Sequence, residues 1–163
     1  MRITTLPVFS KLANKEDIPA ALQEKLPKDW RLSQHQLDTY LALTVGETDV
    51  IFNTAMTGDG KSLAGQLPIL VKGGAHWKTL TMYPTNALIE DQRGNFEKTK
   101  NSWKVDVRPE ILYGLKLDQI MDETGFTRRG DALMSILKNE DFILTNPDMF
   151  HYVMHQFYRF PKE

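Results

Sequence analysis

Apolar positions follow two periods along this chain, and the switches between them mark out its elements. Val50, Ile51 and Phe52 form a short β-favouring run without polar alternation, the pattern of a strand covered on both faces. Leu37, Tyr40, Leu41 and Val45 instead share one helical face, so Ser33 to Val45 reads as a helix with Ser33 as N-cap and Gly46 as its stop. Thr79 to Tyr83 predicts a second strand, and Pro84-Thr85-Asn86 then opens a helix through about Phe96. Trp103 to Val107 is a third strand candidate, with Ile111-Leu112-Tyr113 as its extension or a separate strand. Leu115 to Met121 and Ala132 to Leu137 have helical spacing, divided by a turn from Gly125 to Gly130. Asp141 to Thr145 is a last strand and Pro147 to about Phe157 a last helix. Near the start, Met1 to Phe9 reads as a strand or arm, with Pro7 favouring a sheet edge, and Glu16 to Leu26 as a short helix. Strands alternating with helices at this spacing predict an α/β domain with a mainly parallel sheet and right-handed crossovers. The 163 residues read as one domain, with residues 1–30 an N-terminal arm within it.

The first strand runs into a glycine-bearing loop, Ala55-Met56-Thr57-Gly58-Asp59-Gly60, and Lys61-Ser62-Leu63-Ala64 opens the helix behind it. This matches the P-loop pattern, with Ala55 in place of its first glycine. Gly58 and Gly60 lack Cβ, so the backbone there can take left-handed angles and come close to a ligand. Successive N–H groups then point inward as a nest, and the helix N-terminus adds partial positive charge, so phosphate is the natural guest. Lys61 can reach the β- and γ-phosphates of ATP, and the Ser62 hydroxyl can coordinate Mg²⁺. The nucleotide-binding set read from the loop is therefore Thr57, Gly58, Asp59, Gly60, Lys61 and Ser62, with Lys61 also the catalytic candidate.

Two further units repeat the geometry of a strand end against a helix N-terminus. In Tyr83-Pro84-Thr85-Asn86-Ala87-Leu88, Thr85 and Asn86 offer donors to a phosphate, although either residue also serves as an ordinary helix cap. Ile143-Leu144-Thr145-Asn146-Pro147-Asp148 is the same arrangement with a proline-led helix.

Bulk composition narrows the partners. Net charge is −1, so any nucleic acid must be held by local placement of charge. Cysteine is absent, which removes disulfides and thiolate zinc sites and fits a reducing interior. No apolar run reaches the ~18 residues of a membrane span and Met1-Arg2-Ile3-Thr4 is not a signal peptide, so a cytosolic protein without a membrane partner is expected.

In this order the three units resemble superfamily 2 helicases. The P-loop is similar to their motif I, PTNAL to motif Ia, and TNPD to a later motif that contacts the DNA backbone. Gln36 lies ten residues before Gly46, the spacing of the adenine-reading Gln in that superfamily. In finer wording, NTAMTGDGKSLA, YPTNALIEDQ and ILTNPDMFHY resemble the helicase of prokaryotic CRISPR type I interference systems, most of all the type I-D version, over Trp30 to Tyr152. About thirty residues precede the Gln motif, so no fused HD nuclease is expected. The resemblance implies a RecA-like P-loop domain, incomplete at its C-terminal side, that takes part in ATP-driven DNA unwinding during antiviral interference. Its implied partners are single-stranded DNA and a Cascade-like complex whose large subunit bears a separate nuclease. It also implies adenine at Gln36 and the DNA backbone at Thr85, Asn86, Thr145 and Asn146.

One departure limits that expectation. The superfamily places a DExH or DExD motif after the TNPD-like unit, where its acids hold Mg²⁺ and orient water, and the sequence to Glu163 carries none. Asp122-Glu123 precedes TNPD on helical rather than strand spacing, and reads as surface acids at a helix end. The 163 residues alone are therefore expected to bind ATP without turning it over. Two other readings stay open, a P-loop ATPase outside the helicases and a non-hydrolysing module that docks on an effector complex. His151 and His155 have metal-ligand spacing without a third ligand, and Arg128, Arg129, Arg93, Lys98, Lys100 and Lys104 read as solvated cations.

Overall fold

A computed structural model describes residues 10–46, 48–54 and 58–159, with side chains described through residue 155. The chain falls into two compact units, Met1–Val71 and Lys72–Glu163.

In the first unit, a 3-10 turn at Lys15–Asp17 precedes helix α1, Ala20–Lys25. The single helix expected over Glu16 to Leu26 is broken at Pro19, whose ring pushes Ile18 into extended backbone at ψ 121°. Leu12 pairs antiparallel with Ser33, and the Gln34 N–H donates to the Lys11 carbonyl at 2.7 Å, fixing the entry to α2, Gln34–Thr44. Ser33 caps α2 as expected, and Gln36 reaches back to its N–H to close a capping box. Helix α3, Lys61–Lys72, buries Ala64, Leu67, Ile69 and Leu70 completely. Pro68 sits inside α3, where its missing N–H removes one helical bond.

The second unit is a three-stranded parallel sheet flanked by helices. Its strands are β1 (Thr79–Met82), β2 (Pro109–Leu112) and β3 (Phe142–Thr145), in the order β1-β3-β2. Its helices are α4 (Asn86–Trp103), α5 (Gly114–Thr124), α6 (Arg129–Asn139) and α7 (Pro147–Arg159). All four residues of β3 are buried, as a continuous apolar run between two neighbours requires, whereas β1 at the edge exposes Leu80 and Met82. One face of the sheet presents Leu112 and Ile143 to Leu117, Leu133, Ile136 and Met149 from α5, α6 and α7. On the other, Phe142 stacks flat on Phe96 of α4, with centroids 3.9 Å apart and planes 3° from parallel.

Helix α4 runs past the expected stop at Phe96. Ile89, Phe96 and Trp103 recur every seventh residue and are all buried, one continuous helical stripe. Trp103 is therefore the last helical residue, Lys104 closes the helix in the left-handed region at φ 53°, and no strand forms over Trp103 to Val107. The separate strand at Ile111 is the one that forms, as part of β2.

At the sheet's amino edge, the Asp141 carboxylate accepts from the Arg108 backbone N–H at 3.1 Å and from its guanidinium at 3.3 and 3.4 Å. A Cβ on Gly74 would fall on that carboxyl group, so the glycine is what lets the chain pass. Burial alone would raise the Asp141 pKa, but the two hydrogen-bond types and the charge of Arg108 outweigh it and hold the acid below its ordinary value.

Candidate nucleotide and nucleic-acid site

The phosphate loop lies in the first unit. Gly58 and Gly60 take φ of +90° and +72°, both left-handed, as the sequence predicts for a loop that turns its amides inward. Thr57 and Ala55 lie outside the described residues. Lys61 and Ser62 are exposed at the start of α3, and its first intrahelical bond, Ala64 N–H to the Gly60 carbonyl, is 3.1 Å. The amides ahead of Ala64 thus have no acceptor within the helix. Asp59 is partly buried between the two glycines.

The strand expected at Val50-Ile51-Phe52 does not form. Val50 is 67% and Phe52 88% exposed in irregular backbone, and neither is laddered to another described residue. An apolar run becomes a strand only where a neighbour takes its N–H and C=O groups, and composition cannot supply that neighbour.

Gln36 joins the loop to helix α2. It is 6% exposed, its Oε1 accepts from the Ser33 N–H at 3.0 Å, and its Nε2 donates to the Gly60 carbonyl at 3.2 Å. A Cβ on Gly60 would collide with that Nε2, so Gly60 is held as glycine by sterics as well as by φ. These features fit a nucleotide: two glycines free of Cβ, amides at a helix start, an exposed lysine, and a serine hydroxyl able to give one oxygen to Mg²⁺.

In the second unit, Met82, Leu112 and Thr145 share one register, so the three strands end level. Each hands directly to a helix N-terminus. Thr85 caps α4 by accepting from the Leu88 N–H at 3.3 Å, and Asn86 is the exposed first residue of that helix. Asn146 caps α7 by accepting from the Met149 N–H at 2.7 Å, and its Nδ2 donates to Asn86 Oδ1 at 3.0 Å. Thr145 differs from the sequence reading of a DNA contact. It is 1% exposed and its hydroxyl donates to the Leu112 carbonyl at 2.6 Å, so this side chain ties β3 to β2 and leaves the edge to its neighbours.

Sequence reasoning missed Tyr113. It precedes α5 at the third strand end and donates its hydroxyl to Glu90 of α4 at 3.0 Å. That bond to a carboxylate, with some burial, raises the phenol pKa. The signal was present, since Ile111-Leu112-Tyr113-Gly114 repeats the strand-to-helix pattern of the other two units.

Among the remaining cations, Lys100 is not simply solvated. It donates to the Val107 carbonyl at 2.9 Å and pairs with Glu97 at 3.1 Å, which closes the turn after α4. Arg129 pairs with Asp118 at 2.6 Å. Asp122 and Glu123 are exposed in the last turn of α5, and His151 and His155 are exposed on α7.

Parallel strands ending at helix N-termini, together with a glycine loop running into Lys-Ser, match a RecA-like helicase domain in part. The chain belongs to the DEAD/DEAH box helicase family, whose model matches residues 33–160. It is 27% identical over 142 residues to the uncharacterized ATP-dependent helicase YprA of Bacillus subtilis (strain 168), covering 83% of this chain and 16% of that protein. Among solved structures it is similar to the DUF1998 helicase MrfA bound to DNA, at TM-score 0.63 and 23% identity over 89% of this chain and 19% of that one. MrfA bound to DNA and AMPPNP gives TM-score 0.65 and 22% identity over 94% of this chain and 20% of that one. The chain thus spans under a quarter of the length of these relatives. No described helix is long and apolar enough to cross a membrane.

Proposed function

We propose that this chain is the nucleotide-gripping and first DNA-contacting part of an ATP-dependent DNA helicase. The observation that carries the reading is the hydrogen bond from Gln36 to Gly60, which joins the candidate base reader to the phosphate loop across 24 residues. With one lone pair of Oε1 on Ser33 and one Nε2 proton on Gly60, the Gln36 amide keeps one acceptor and one donor. That pair suits the N6 amino group and N7 of adenine. Lys61 would neutralise the outer phosphates of ATP, Ser62 would hold Mg²⁺, and the loop amides of Thr57 to Gly60 would cradle the phosphate chain. Bound ATP would supply the free energy for strand separation. Thr85 and Asn86, with Asn146 behind them, would hold a single strand by its backbone.

Two measurements, made on the whole helicase of which this chain is proposed to be a part, test this. Helicase action requires that DNA unwinding depend on ATP and be lost in Lys61→Ala. Replacing Thr85 and Asn86 should lower affinity equally for unrelated single strands, because phosphate contacts carry no base information. A loss that varied strongly with sequence would remove the backbone track.

At a finer level, we place the chain with the helicases of CRISPR type I-D interference, supported by the wording of its three motifs. Its partner would then be a Cascade-like complex whose large subunit carries a separate nuclease. A second reading keeps only the coarser likeness, to the ATP-dependent helicase YprA and to DNA-bound MrfA, and takes the chain as part of a DNA helicase independent of such a complex. Reconstitution separates them: target cleavage by the effector complex should require this helicase and ATP in the first case and ignore both in the second.

A further inference from the structure

Both ends of the Asn146 side-chain amide are engaged within its own unit. Oδ1 accepts from the Met149 N–H at 2.7 Å, and Nδ2 donates to Asn86 Oδ1 at 3.0 Å. Chemistry fixes the direction of this chain. A backbone N–H can only donate, so the Asn146 atom facing Met149 must be the oxygen, and the atom facing Asn86 must then be the nitrogen. That nitrogen needs an acceptor, which turns the Asn86 oxygen toward Asn146 and leaves Asn86 Nδ2 as the outward atom. Pro147, lacking an N–H, offers the Asn146 oxygen no competing donor. Beside Asn86, the Thr85 oxygen already accepts from Leu88, so its O–H remains to be given away.

We infer that Asn146 is a positioning residue that sets the amide polarity of Asn86, so that Asn86 turns its Nδ2 donor outward, complementary to a phosphate oxygen. The inference rests on the proposal above that Asn86 touches the DNA backbone. The polarity originates in the first turn of α7 and is delivered at the first turn of α4, through one hydrogen bond between them. Without it, the Asn86 amide is free to turn its oxygen outward, where it would repel the anion it is meant to hold.

The test uses three variants of the full chain, read by single-strand affinity in fluorescence anisotropy, thermal midpoint and ATP affinity. Asn146→Asp keeps the α7 cap, helped by the helix dipole, but cannot donate, so Asn86 must offer its own N–H inward. Asn146→Ser keeps a cap without charge and frees the Asn86 amide. Asn86→Asp still accepts from Asn146 but presents no donor. Asn146→Asp and Asn86→Asp should each lose about tenfold or more in DNA affinity, the scale of one charge-assisted hydrogen bond. Asn146→Ser should lose affinity in the same direction, and all three should keep their midpoint and ATP affinity. If Asn146→Ser binds DNA like the parent, the loss in Asn146→Asp is charge repulsion and the polarity relay is overturned. If Asn86→Asp binds like the parent, the DNA contact at Asn86 fails instead, whatever Asn146 does.

Discussion

The side-chain amide of Gln36 donates to the carbonyl of Gly60 at 3.2 Å, so the first turn of α2 holds the last glycine of the phosphate loop. Gln36 is itself anchored by the Ser33 N–H, and Ser33 in turn pairs with Leu12. Position is thus passed from a short antiparallel bridge to the loop through named contacts.

Replacing Gly60 tests that coupling. Gly60→Ala meets the left-handed φ of +72°, a cost of about 1–2 kcal/mol, and also the Gln36 amide. Gln36→Ala removes the obstacle but not the backbone penalty. The double variant should therefore be more stable than the sum of the single losses, measured as a coupling energy from urea unfolding. Simple additivity would mean that the two residues do not interact.

Lys61→Ala should weaken ATP binding about tenfold or more, because a charge-assisted hydrogen bond contributes roughly 1.5–3 kcal/mol. Calorimetry on the two proteins decides it, and equal affinities refute the assignment of Lys61 to phosphate.

The Asp141 and Arg108 pair gives the second unit an acid-sensitive fastening. The folded-state pKa of Asp141 lies below its ordinary value, so its contribution is complete above the unfolded value of about 3.9 and is lost as pH falls through the depressed one. Asp141→Ala should cost about 1–3 kcal/mol at neutral pH by leaving the Arg108 N–H unpaired, and should flatten the acid limb of a stability–pH curve. Gly74→Ala should act in the same direction by displacing the carboxylate. An unchanged acid limb in Asp141→Ala counts against the fastening.

Phe96→Ala should cost about 3–5 kcal/mol, since it removes a buried ring stacked on Phe142. Chemical denaturation measures this directly. A cost below 1 kcal/mol would mean that the stack does not hold α4 to the sheet.

Much of the second unit was legible in the sequence. Phe142 to Thr145 is a strand because four consecutive apolar or β-branched residues admit burial on both faces, and Asn146-Pro147 announces the helix behind it. The same reasoning misled at Val50 to Phe52, where the run is equally apolar but no described neighbour pairs with it. At Trp103 a strand was expected, and the seven-residue stripe from Ile89 through Phe96 carries the helix on to that residue instead. In the candidate site, residue types were readable and their pairings were not. Nothing local to Thr145 tells that its hydroxyl turns toward Leu112, and nothing local to Gln36 tells that it reaches Gly60.

The strand order β1-β3-β2 bears on how the second unit comes off the ribosome. Of the three described strands the central one comes last in the sequence, and Thr79 meets Phe142 only after the whole intervening segment has emerged. Until then neither β1 nor β2 has a ladder partner among the described residues, so Leu80 and Met82, Ile111 and Leu112 wait without the strand that brings them into one sheet. Long-range parallel pairing of this kind is slow to form and leaves nascent chains open to wrong contacts. A chain halted before Phe142 would hold every helix through α6 and still lack the one sheet seen among the described residues, so assembly of this half of the molecule waits on Phe142 to Thr145.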